Sequence, residues 1–267
     1  MFNIIRASLF KLIKDWTFRI TMMVGIGLAA LLIGINAGIG QLNGQTMLLS
    51  SVSPSQNFGL TVPINLVVFT VSEFTCGTIR NKVIAGHTKF KIFAGLFLTG
   101  LVFTMSLMIV YLAVIVGLSS AIGGFDANAI GGGTFIGCYI VYFLTSYIFV
   151  TALSVFFGAL IRNIGGSISI SVVSLVLLGM IPLIITLAIG KEFNAANIQM
   201  WINPLYMLGL YANSSSIINF LHNAGADTST FYIQNAQMIV AGIITPLLWS
   251  TILFISGAFI FARRDLK

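Results

Sequence analysis

Six stretches of this chain carry no charged residue, and that pattern leaves few folds open to it. They run from Ile20 to Ser72, Ile92 to Phe125, Ala127 to Ile161, Asn163 to Gly190, Phe193 to Ala226 and Thr228 to Ala262. A helix crosses a bilayer core with about 20 predominantly apolar residues. Each run is long enough for one crossing, and the first is long enough for two. Charged residues make up only 7% of the chain, against roughly 25% in a soluble domain. So few charges cannot cover a water-facing surface, so lipid must solvate most of it.

The polar residues divide the runs further. Gln41 to Asn57, with Asn43, Gln45, Ser53, Pro54, Ser55 and Gln56, splits the first. Helices are therefore expected near 19–40, 59–75, 93–119, 133–161, 165–189 and 238–262. The Phe193–Ala226 run holds Asn194, Asn197, Asn203, Pro204, Asn213, Asn219 and His222. It is expected to form one or two short amphipathic or re-entrant helices, since non-helical backbone survives at depth only where protein or water covers it. The expected fold is an all-α integral membrane domain over 1–267, with six transmembrane helices.

Basic residues orient the spans. With the N-terminus inside, the inner segments hold Arg6, Lys11, Lys14, Arg19, Arg80, Lys82, Lys89, Lys91, Arg162, Arg263, Arg264 and Lys267, leaving only Lys191 outside. Six spans also return the C-terminus inside. The net charge of +7 thus reads as topology rather than nucleic-acid binding. At 100° per residue, Phe2, Ile5, Leu9, Leu12, Ile13 and Trp16 share one face of the N-terminal stretch, with Ser8, Lys11, Lys14 and Asp15 mostly opposite. This pattern predicts an interfacial helix over 2–17, continuing into an uncleaved first span.

The most informative segment is the inner loop 73–91, from Glu73 to Lys91. Gly77 and Gly86 bracket a stretch long enough for a two-turn helix. Ile79, Val83 and Ile84 would form its apolar edge by i,i+4 spacing. Arg80, Lys82, Lys89 and Lys91 surround it with positive charge, and Glu73 has Arg80 or Lys82 as local partners. Two readings fit these residues. One is a knob that docks on a cytoplasmic partner; the other is a basic loop lying on anionic lipid.

The order of Glu73, Gly77-Thr78-Ile79-Arg80-Asn81-Lys82, Ala85-Gly86-His87 and the lysines resembles the membrane subunits of bacterial ABC-2-type exporters. The ending Phe261-Ala262-Arg263-Arg264-Asp265-Leu266-Lys267 is similar too, as is the overall layout. The resemblance implies that the 73–91 loop carries the coupling helix, with Glu73, Gly77, Ile79, Arg80, Lys82, Val83, Gly86 and His87 as the residues that engage an ATPase. It implies a permease subunit in a bacterial cell membrane, both termini cytoplasmic. Its partners would be a second permease copy or a similar subunit, two ATPase subunits, lipid, and a hydrophobic or amphipathic cargo such as a peptide.

The residues themselves set further expectations. There is no G-x-x-x-x-G-K-[ST] phosphate loop, so ATP and Mg would bind on a separate subunit and no cofactor is expected here. No charged residue falls in the middle of an expected span, which argues against a proton-coupled carrier. His87 and His222 lack metal-ligand companions, and Cys76 and Cys138 read as small apolar fillers. Gly34 and Gly38 form a G-x-x-x-G expected to pack within the subunit. Pro63, Pro182 and Pro246 invite kinks, and Asn36 and Asn65 should face protein or a lumen. An ATP-independent oligomeric channel or carrier, or an assembly protein, is the alternative to the exporter reading.

Overall fold

In a computed structural model the described residues are 2–14, 16–38, 61–124, 132–161, 163–189, 202–205 and 236–263. They form eight helices and no strand: α1 (Phe2–Lys14), α2 (Trp16–Gly38), α3 (Thr61–Thr75), α4 (Thr78–Ile84), α5 (Lys89–Gly123), α6 (Gly132–Ile161), α7 (Ile164–Ile189) and α8 (Ala236–Arg263). The polar stretch Gln41–Asn57 lies outside the described residues, as does all of 193–226 except 202–205.

Among the described residues, four helices contain segments long and apolar enough to cross a membrane: Phe18–Ile35, Lys89–Gly123, Ile140–Ile161 and Val240–Arg263. The pair α3 and α4, bent by 55° at their junction, makes a fifth if counted as one broken span. At 1.5 Å per residue, α5 is about 52 Å long, more than the roughly 30 Å of a hydrocarbon core. It therefore projects beyond the core unless it is strongly tilted.

The bundle is built around α6, which packs against α3, α5, α7 and α8. Within its membrane-length segment 67% of residues are buried, against 25% for α2 and 28% for α8. Tyr142, Phe143, Tyr147, Phe149, Leu153 and Val155 fill the centre. Close approach of α8 to α5 and α6 depends on Gly257, where a Cβ would stand 2.7 Å from the Phe93 ring and 3.0 Å from that of Phe156. The outer helices turn large apolar side chains outward, including Met23, Ile109, Leu177 and Ile255. Water would penalise that surface, whereas lipid accommodates it. Together these features describe a membrane-embedded protein.

Several hydroxyls inside the bundle are satisfied within their own helices, although those of Ser119 and Ser171 are buried without a partner among the described residues. Thr70, Thr99 and Ser154 donate to carbonyls one turn back, which spares helical hydroxyls from being buried unpaired. Thr151 also reaches across helices to Thr104 Oγ1 at 2.9 Å. Asn65 donates to the Thr61 carbonyl, so its amide is held within α3. Pro63 falls in the first turn of the described α3, where a missing N–H is tolerated.

One detail departs from expectation. Gly34 and Gly38 are exposed, with nothing within 4 Å of a Cβ placed there. Among the described residues this G-x-x-x-G therefore faces outward instead of packing within the subunit. The N-terminal helix α1 packs along α5 and touches α2. Its Ser8 is buried and its Phe10 exposed, and Trp16 at the start of α2 is exposed as well.

Candidate functional site

The site begins where α3 stops. Gly77 adopts φ 68, a left-handed conformation that costs other L-residues steric strain. Backbone bonds hold the turn: Cys76 N–H donates to the Ser72 carbonyl, Gly77 N–H to Phe74, and Asn81 N–H to Gly77. Thr78 Oγ1 adds a bond to the Glu73 carbonyl at 2.8 Å. The chain leaves the turn as α4.

A second glycine ends α4. Gly86 has φ 83, with its N–H donating to Val83 and the His87 N–H to Lys82. This pair of bonds is the Schellman arrangement that closes helices at a left-handed glycine. Thr88 then opens α5, its Oγ1 accepting from Lys91 N–H. Gly77 and Gly86 therefore set both ends of the short helix that the sequence placed between them.

Glu73, in the last turn of α3, is the one acidic residue among the described residues. Its carboxylate takes Lys11 of α1 on Oε1 and Lys82 of α4 on Oε2, each at 2.7 Å. Lys82 also lies 3.3 Å from the buried Ser8 hydroxyl. Glu73 is 2% exposed, Lys82 17% and Lys11 41%. Charge-assisted bonds of this length are the stronger kind, and a buried carboxylate needs them. One carboxylate thus joins three helices: α1, the end of α3, and α4.

Of the two local partners expected for Glu73, Lys82 takes the role and Arg80 does not. Lys11 is a partner that sequence inspection misses. It lies 62 positions away, and its place on the polar side of α1 gives no address. Ile79 is buried and Val83 packs against the core, so these two residues seat α4 on the bundle and are not free to meet a partner. The outward surface consists of Arg80, Asn81, Ile84, Ala85 and Gly86. Ile84 is 74% exposed. His87 is half-buried.

Above the node an aromatic cluster links it to the rest of the bundle. Phe74 meets Phe261 edge-on at 5.7 Å, Phe261 meets Phe93, and Phe93 and Phe97 meet Phe254. Such pairs contribute about 0.5–1.5 kcal/mol each beyond area burial. They tie the end of α3 and the start of α5 to α8. Lys89 donates to the Ala262 carbonyl near the end of α8, and Arg263 stacks on Phe259. Lys11, Arg80, Lys82, Lys89, Lys91 and Arg263 consequently gather at one end of the bundle. Among the described residues no group of three His, Cys, Asp or Glu stands together to hold a metal.

A short helix with exposed apolar and basic residues is fastened by a buried charge to α1 and α3, and the ring cluster ties α3 to α5 and α8. No family model matches the chain, and no curated protein matches it.

Proposed function

We propose that this chain is the permease subunit of an ATP-driven exporter, and that α4 is the helix through which a separate ATPase subunit moves it. The observation that carries this reading is the Glu73 node. A helix meant only to lie on lipid needs no buried ionic tie to two other helices. A helix meant to transmit displacement does, because force on its outer face must reach α1 and α3 without dissipating in a loose turn. The outward Ile84, Ala85 and Arg80 supply a small apolar knob with a basic rim.

In this reading the domain has six spans: the four long apolar helices, α3 and α7. The basic end faces the cytoplasm of a bacterial cell. Two permease copies enclose the pathway, and the open glycine face of α2 is where the second approaches. Arg80, Ile84 and their neighbours meet the ATPase, while Glu73, Lys82, Ile79, Val83, Gly77 and Gly86 hold the helix that presents them. A pathway without charged residues at mid-span suits an amphipathic peptide or another hydrophobic compound. ATP and Mg are handled entirely by the partner.

The test places a photoreactive cross-linker at position 84, as Ile84→Cys in a Cys76→Ala, Cys138→Ala background, in native membranes. The expected product is an adduct with one nucleotide-binding ATPase subunit, lost when Arg80→Glu is added. Adducts with lipid alone, in membranes where the full transporter is expressed, would overturn the reading in favour of a channel, carrier or assembly protein.

A further inference from the structure

The four described residues Ile202–Leu205 touch two long helices. Asn203 Nδ2 donates to the Leu178 carbonyl of α7 at 2.6 Å, and Trp249 Nε1 of α8 donates to the Ile202 carbonyl at 2.9 Å. Asn203 Oδ1 in turn accepts from Leu205 N–H at 2.9 Å. Asn203 and Pro204 are buried. Leu178 and Trp249 each stand about 21 Å along the axis from the Ile164 and Arg263 ends. Those ends lie on the same side of the bundle, since Gly257 approaches Phe156 and Ser167 bonds to the Phe157 carbonyl. The segment therefore meets α7 and α8 at the same height, within the thickness of a bilayer core.

The acceptor has an unusual origin. In a helix the Leu178 carbonyl would take the N–H of residue 182, four positions on. Residue 182 is proline, which has no N–H. The carbonyl that α7 cannot satisfy is the one Asn203 caps. An unsatisfied carbonyl at membrane depth carries a large penalty, and a side-chain amide that donates at one end and accepts at the other relieves it while closing its own turn.

We propose that Pro182 and Asn203 are a matched pair: the proline opens an acceptor on α7, and Ile202–Leu205 is a strap seated in it and fastened on the other side by Trp249, joining α7 to α8 at depth. The strap makes these two helices move as one body, and it places non-helical backbone in the membrane where protein covers it. This inference rests on the geometry alone and stands whether or not the chain belongs to an exporter.

The test is a double-mutant cycle on the full chain in nanodiscs, read by thermal unfolding and by hydrogen exchange. Asn203→Leu should lower the melting temperature by several degrees and speed exchange at Leu205 at least tenfold. In a Pro182→Ala background, where residue 182 again supplies an N–H to Leu178, the same substitution should lower the melting temperature by less than half as much. Equal falls in both backgrounds, or none in either, would overturn the pairing. Trp249→Phe keeps an aromatic ring, though a smaller one, and removes one bond, so it guards against a variant that does not fold. It should raise exchange at Leu205 severalfold with the α8 amides unchanged, and an unaltered rate would overturn the strap.

Discussion

Replacing Glu73 with glutamine keeps its size and removes its charge, so it isolates what the carboxylate does. The Lys82 bond is charge-assisted and mostly buried, worth about 1.5–3 kcal/mol. The Lys11 bond involves a partner that is 41% exposed, so solvent screening reduces it to about 0.5–1 kcal/mol. Together the loss is about 2–4 kcal/mol, in keeping with the roughly 3–5 kcal/mol for removing one partner of a buried ion pair. For a chain of this size that is a fall in melting temperature on the order of 5–10 °C. It should be seen by thermal unfolding of the detergent-solubilised chain, and hydrogen exchange should localise it to Thr78–Ile84. Lys82→Met should cost more than Lys11→Met, because Lys82 has less water to retreat into. Glu73→Lys should exceed Glu73→Gln, since it places a third cation at the node, and should uncouple ATP hydrolysis from transport while leaving membrane insertion intact. Adding Lys82→Glu to it should recover part of the loss. A Glu73→Gln variant within about 0.5 kcal/mol of the parent, with α4 exchange unchanged, would refute the view that this carboxylate holds the three helices together.

Other substitutions probe separate parts of the account. Gly77→Ala forces a Cβ into φ 68 and should cost about 1–2 kcal/mol by chemical denaturation, with faster exchange in α4. Gly257→Ala places its Cβ 2.7 Å from the Phe93 ring. Overpacking of this kind costs about 1–3 kcal/mol, and Phe93→Leu should relieve most of it in the double variant. Ile84→Glu changes an exposed side chain and should leave stability within about 0.5 kcal/mol, while reducing association with the ATPase at least tenfold in a pull-down.

The long helices were legible because charge is expensive in lipid. Apolar runs without Lys, Arg, Asp or Glu pointed to long helices, and α6, α7 and α8 begin and end within two or three residues of the places expected for them. The ends of α4 were legible for a different reason: Gly77 and Gly86 are the residues that tolerate positive φ. What stayed hidden were relations between distant segments. The i,i+4 edge of Ile79 and Val83 fits a groove in a partner or the chain's own bundle equally well, and only the fold shows it taken up by the bundle. A G-x-x-x-G such as Gly34 and Gly38 says that something can approach, not whether it belongs to the same subunit. Lys11 and Asn203 find their partners across 62 and 25 positions, and no local pattern marks either pairing.

The central claim is that α4 is the point where an ATPase drives this membrane domain. It is tested most directly by purifying the chain from its native membranes in mild detergent and measuring Mg-dependent ATP hydrolysis and subunit composition together. The account predicts a nucleotide-binding ATPase subunit recovered in equal amount with this chain, its hydrolysis present in the parent complex and both lost with Ile84→Glu. Recovery of the intact chain with no ATPase, together with solute movement in liposomes driven by an ion gradient alone, would contradict it.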